Sequence, residues 1–236
     1  MIDDSELRDL DPFGLLDAEA HRIDGFFATL DGEDWLRPTR CAGWRRRELL
    51  AHLAASEEYN QATIDDTVPQ LLQRAQEAGA SDLEAFNAWG VDQRAGRSVD
   101  ELLDEWRQAS TQTRMRLREL GWDTILNTAG GPYPAGRQAL HLAMEFAIHA
   151  DDMGVPVADA ERRLRGGWQA RFARFTLGEY GKEVKVDSDG AGMNQVKGGG
   201  VAVTIDDEGL IDACSARLPE DAPVPEELRG LLRVFA

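Results

Sequence analysis

The sequence predicts a mainly α protein, an antiparallel four-helix bundle followed by a small α+β C-terminal domain. Two observations carry that prediction. Four long segments place apolar residues at helical spacing with short connections between them, and from about residue 184 the pattern changes to strand-like alternation with Gly-rich breaks. The boundary is expected at residues 1–160 for the bundle and 161–236 for the smaller domain.

Residues 15–30 carry Leu15, Ala18, Ile23, Phe26, Phe27 and Leu30 at helical spacing, and Asp31-Gly32 supplies a stop. After the turn-like RPTRCAGW, residues 45–66 place Leu49, Leu50, Leu53, Tyr59 and Ile64 on one broad face. A further short helix is expected over 82–96. Residues 98–120 open on Ser98 with Glu101 three positions on, a capping box, and continue with Leu102, Leu103, Trp106, Met115 and Leu117. NTAGGPYPAGR reads as a Gly/Pro loop, and HLAMEFAIHADD (141–152) follows it as the fourth long helix. In the tail, VKVDSDG and GVAVTIDDEG alternate as strands, GAGMNQVKGGG reads as a flexible hairpin or domain connection, and VPEELRGLLRVFA returns to helix.

Composition narrows the function. A net charge of -17 repels phosphate backbones and anionic lipid heads, so nucleic acid and membrane surfaces are not expected partners. No apolar run reaches the roughly 18 residues of a spanning helix, and the acidic N-terminus does not read as a secretion signal. A cytoplasmic location is the expectation. Cys41 and Cys214 lie far apart in sequence, and no disulfide framework is expected.

Chemistry concentrates in HLAMEFAIHADD. Residues four apart on a helix differ by about 40° in azimuth and about 6 Å in height. Glu145 and His149 therefore present a carboxylate and an imidazole to one point, with His141 one turn back and Asp152 near the same face. Leu140, Met144 and Ile148 form the adjoining apolar surface. Such a pair is either hydrogen-bonded on a solvated face or two ligands of a divalent ion, and a buried ionised Glu favours a cation beside it. Two imidazoles and a carboxylate suit Zn²⁺, with the fourth position open. One helix cannot supply all three ligands. His21 sits among charged residues as a surface histidine, whereas His52, in LLAHLAAS, is either a core histidine satisfied by one hydrogen bond or a group facing Glu145 and His149 across the bundle.

DWLRPTRCAGWRRRELLAHLAASEEY resembles a signature of the mycothiol-dependent maleylpyruvate isomerase family, within the DinB-like metal-binding superfamily: a Trp, a Pro-Thr, a Gly-Trp, and an Ala-His-Leu eight residues later. MEFAIHADDMG resembles that family's second signature, Glu-x-x-x-His with Asp three positions on. The order and separation of the blocks also match, and the strand-rich tail is similar to the family's smaller C-terminal domain. The resemblance implies that His52, Glu145 and His149 ligate a metal, zinc in the thiol-using branch, and that Asp152 holds a ligand imidazole in its tautomer. His141 lies outside the family pattern and stands as a further group hydrogen-bonded to a ligand, a proton donor, or a histidine packed beside the site. Trp44 and Thr39 read as anchors of their turn, and Cys41, with only Arg40 beside it in sequence, as a structural or incidental thiol.

What the resemblance implies for activity is a zinc- and mycothiol-dependent enzyme in which a metal-held thiolate attacks a small electrophile, giving cis/trans isomerisation of an enoate or thiol S-transfer. Tyr133 and Arg137, just before the ligand helix, and Arg217 of the tail are candidate substrate-binding residues; Arg229 and Arg233 are further tail arginines of the same kind. Two other readings stay open: a DinB-like metalloprotein that hydrolyses through metal-bound water with His141 or Asp152 as base, and a non-catalytic metal- or thiol-binding protein.

Overall fold

The computed structural model describes residues 4–235, which form two compact units, one of residues 11–155 and the other of residues 4–10 with 156–235. The first unit holds α1 (Pro12–Phe27), α2 (Arg46–Ile64), α3 (Val68–Glu77), α4 (Leu83–Asp92), α5 (Val99–Leu120), a β1–β2 hairpin (Ile125–Thr128, Gly131–Pro134) and α6 (Ala135–Met153). The four long helices are α1, α2, α5 and α6, as the periodicity predicts. α1 packs on α6 and α5, and α2 on α5 and α6.

Local chemistry sets the ends of these helices. Asp11 caps α1 by accepting from the Gly14 N–H, with Pro12 at the first helical position. The capping box of α5 forms: Ser98 Oγ accepts from the Glu101 N–H, and the Glu101 carboxylate accepts from the Ser98 N–H. α6 ends at Gly154, whose φ of 74° is left-handed backbone that glycine takes without a Cβ penalty. The bundle interior is filled by Leu16, Ile23, Leu49, Leu50, Leu53, Leu102, Leu117, Leu140 and Met144. Phe27, Trp106 and Phe146 meet edge to face among them.

The Gly/Pro loop expected at 127–137 is instead a hairpin that runs directly into α6. Ile125 pairs with Pro134 and Thr128 with Gly131. Thr128 Oγ1 closes the turn by donating to the Gly131 carbonyl and accepting from the Gly130 N–H. Two prolines in a strand mask its signature in sequence, but a two-stranded ribbon consists only of edges, where a missing N–H is tolerated. The Ala129 N–H donates to the Tyr59 hydroxyl of α2, and Asn127 donates to Asp66. The start of α6 is fixed by Gly136, where an added Cβ would lie 2.5 Å from the Trp122 ring. Gly136→Ala is expected to destabilise the protein by about 2 kcal/mol through overpacking, read as a lowered urea midpoint at unchanged m-value.

The second unit comprises α7 (Asp159–Glu179), the antiparallel meander β3 (Val184–Ser188), β4 (Met193–Gly198) and β5 (Val201–Asp206), then α8 (Asp207–Cys214) and α9 (Glu226–Leu232). The two strands and the final helix expected here are present. GAGMNQVKGGG, read as a flexible hairpin or connection, supplies the central strand of the sheet, with Val196 fully buried. Ala173, Leu177, Val196, Leu210, Cys214, Leu228 and Leu232 form this unit's core. α3, α7 and α8 were not anticipated. Among the described residues no helix is long and apolar enough to cross a membrane.

Candidate metal centre

α2 and α6 face each other along a stripe of polar residues inside an otherwise apolar interface. α2 contributes His52, Ser56 and Asn60 at successive turns, and α6 contributes Gln138, Glu145, His149 and Asp152. Gln138 Nε2 donates to Asn60 Oδ1 at 2.9 Å, and Asn60 Nδ2 donates to the Ser56 carbonyl at 2.8 Å. This buried amide pair sets the register of the two helices on which the site depends.

At the site, Glu145 Oε1 lies 2.7 Å from His52 Nε2 and 3.3 Å from His149 Nε2. One ligand atom from each of His52, Glu145 and His149 falls within 4.8 Å of the others. His52 and His149 are nearly fully buried, whereas the Glu145 side chain keeps 32% of its exposure, so the cluster opens to one side. The Ser56 hydroxyl donates to Glu145 Oε1 at 3.3 Å. The Trp44 ring packs 4.9 Å from the His52 ring and closes the flank.

His149 is oriented from behind. Its Nδ1 lies 3.0 Å from Asp152 Oδ2, so that carboxylate accepts the Nδ1 proton and leaves Nε2 facing Glu145. The loop before α2 is tied to the same place. Arg40 N–H donates to the Asp152 carbonyl, Arg46 donates to the Met153 carbonyl, and Thr39 Oγ1 donates to the Trp44 carbonyl. This loop carries Cys41, whose thiol donates to Asp152 Oδ2 at 3.1 Å and lies 3.8 Å from His149 Nδ1. Its sequence neighbours give no hint of that placement. Ser56 and Cys41 are the site neighbours that sequence reasoning missed; the i,i+4 spacing of His52 and Ser56 was the one available signal.

The electrostatics favour positive charge at the cluster. Burial raises the Glu145 carboxyl, but the His149 charge and hydrogen bonds from both imidazoles outweigh it and hold the group well below the ordinary carboxylate range. Burial opposes charge on His149, yet Glu145 and Asp152 hold a proton on it well above the ordinary histidine range. Burial prevails at His52, whose imidazole is pushed below the ordinary histidine range despite the Glu145 hydrogen bond. A field that keeps one positive charge between Glu145 and Asp152 also suits a metal ion. The ligand atoms of a tetrahedral zinc site with bonds of about 2.0–2.1 Å stand about 3.4 Å apart. The contacts of 2.7 and 3.3 Å lie within about 0.7 Å of that span, and two nitrogens with one carboxylate oxygen make a chemically suitable donor set.

Residues 16–154, more than half of the chain, match the family model described as the mycothiol maleylpyruvate isomerase N-terminal domain. The chain belongs to that family. The matched stretch contains both signature blocks, and with them every residue of the His52, Glu145, His149 cluster. Two solved structures, the mycothiol-dependent maleylpyruvate isomerase and its mutant with a histidine replaced by alanine, share the fold. Each aligns with a TM-score of 0.62 at 16% identity, over 94% of this chain and 98% of that one. No curated protein matches the chain in sequence.

The remaining sequence candidates are distributed as follows. Tyr133, at the end of β2, places its hydroxyl 3.0 Å from His141 Nε2, so His141 engages Tyr133 two turns before His149. Arg137 sits half-buried in the first turn of α6. Arg217 lies in the other unit, where its guanidinium donates to the Ser215 carbonyl. Arg229 is engaged with the carbonyls of Pro219, Ala222 and Val224. His21 is exposed, as expected, and neither Cys41 nor Cys214 is in a disulfide.

Proposed function

We infer that the protein is a zinc- and mycothiol-dependent enzyme acting on a small electrophile, with His52, Glu145 and His149 as the metal ligands. The observation that carries this reading is the convergence of the three groups from two facing helices, in a family whose solved member is a mycothiol-dependent maleylpyruvate isomerase. Zinc, when bound there, supplies the charge that keeps a small thiol ionised at neutral pH.

The chain's own residues do the rest. Asp152 accepts a hydrogen bond from the His149 Nδ1–H and fixes its tautomer, while Ser56 restrains the Glu145 carboxylate. Trp44 shields His52 from water. The Tyr133–His141 pair is the candidate proton donor, and Arg137 is the candidate partner of a substrate carboxylate. The reaction class is cis/trans isomerisation of an enoate by reversible thiol addition, or S-transfer where the carbon carries a leaving group. The protein acts on small molecules in the cytoplasm, and neither nucleic acid nor a membrane takes part.

The test is turnover of the zinc-loaded protein on maleylpyruvate and related electrophiles with and without mycothiol. Activity that appears only with the thiol is the expected result. Equal activity without it would favour hydrolysis, and full zinc occupancy with no turnover on any electrophile would favour a binding protein.

A further inference from the structure

His149 stands between two sets of potential ligands. Its Nε2 faces Glu145 and His52, and its Nδ1 faces Asp152 and Cys41. Cys41 Sγ, Asp152 Oδ2 and His149 Nδ1 are separated by 3.1 Å (S to O), 3.8 Å (S to N) and 3.0 Å (N to O). With zinc bond lengths of about 2.3 Å to sulfur and about 2.0–2.2 Å to nitrogen and oxygen, a tetrahedral ion needs these three spans at about 3.4–3.6 Å. Each observed span lies within about half an ångström of that requirement, as near as the spans of the His52 cluster. Cys41 is partly exposed and gives a way in from solvent, while Asp152 and His149 are buried.

We propose that Cys41, Asp152 and His149 Nδ1 form a second metal position, selective for thiophilic ions and exclusive of the first. Exclusivity follows from the imidazole itself: a neutral ring has one lone-pair nitrogen, so His149 serves one ion at a time. Each choice leaves the other nitrogen protonated, and each such proton has a carboxylate to receive it. With an ion on Nε2 the Nδ1–H donates to Asp152 Oδ2; with an ion on Nδ1 the Nε2–H donates to Glu145 Oε1. Selectivity follows from the donor atoms, since the second set contains a thiol and the first contains none. Binding replaces the protons on Sγ and Nδ1 by the ion and releases them to solvent, with nothing oxidised. The position exists independently of the proposed function, and only its consequence, loss of zinc from the His52 cluster, rests on that reading.

Cadmium titration followed by the ultraviolet thiolate-to-cadmium charge-transfer band tests the site. Wild type, Cys214→Ser and His52→Ala are expected to develop the band to one ion per chain, because neither Cys214 nor His52 is a donor of the second position. Cys41→Ser is expected to lose the band while keeping full zinc stoichiometry and unchanged circular dichroism. Cadmium should displace zinc from wild type but not from Cys41→Ser. A band that persists in Cys41→Ser, or that disappears in Cys214→Ser, overturns the proposal, as does its absence from both wild type and His52→Ala. Retention of full zinc by His52→Ala would instead overturn the ligand set of the proposed function and leave the cadmium result unaffected.

Discussion

His52→Ala is expected to lower zinc affinity by more than about 100-fold, leaving the purified protein substoichiometric in zinc where wild type is expected to carry one ion. Outer partners that merely orient a ligand are worth about 10–100-fold in affinity, and His52 is one of the three proposed protein donors found among the described residues. It is also the one donor supplied by α2, so its loss removes the ligand that closes the site across the helix interface. The substitution also removes the 2.7 Å hydrogen bond between His52 Nε2 and Glu145 Oε1 and empties buried space beside the Trp44 ring, so a loss of stability of about 1–3 kcal/mol is expected with it. Zinc analysis, with circular dichroism to confirm the fold, reads both results. Undiminished zinc content would exclude His52 as a ligand.

The second large effect lies on the opposite side of α2. Glu57 is fully buried against α5, and neither carboxylate oxygen has a partner in good hydrogen-bond geometry. Burial raises its acid to about 7; the neighbouring Thr113 and Ser110 hydroxyls and the Arg114 charge offset only part of the cost of ionising it there. The folded state therefore binds a proton more tightly than the unfolded chain, whose ordinary value is 4.5. The stability that proton contributes is fully present below pH 4.5 and is lost as pH rises through 7, levelling off above it. At 1.36 kcal/mol per unit the loss between pH 4.5 and 8 is about 3 kcal/mol. Glu57→Gln has no such titration. Urea unfolding of both proteins should show the variant gaining on wild type by about that amount over this interval; parallel pH profiles would contradict the assignment.

Much of the site was legible because its chemistry is repeated at helical spacing. Glu145 and His149 are one turn apart on a segment whose other positions are apolar, and the Ala-His-Leu block announces a second helix with one histidine on a buried face. The Ser98/Glu101 box located the start of α5 to the residue, because capping is a local hydrogen-bond exchange that a four-residue window contains. The β1–β2 hairpin was hidden for the converse reason. Its strands are four residues long and contain Pro132 and Pro134, and contacts of its turn and flank with Tyr59 and Asp66 of the α2 region help hold it. β4 was hidden by the glycines that flank it, although Val196 within it is fully buried.

By itself, then, the sequence determined the helices of the bundle, the strand character of the tail, and the pairing of a carboxylate with an imidazole on one face of α6, all consequences of periodicity and short-range hydrogen bonding. Only the tertiary structure decided which groups meet across the helices. It set His52 against Glu145, directed His141 to Tyr133, and brought Cys41 from a loop more than a hundred residues away to the far nitrogen of His149. The physical reason is that a ligand set is a property of distances between elements. Those distances are fixed by how α2 and α6 pack, through apolar burial and the Asn60–Gln138 bond, and no local sequence window contains them.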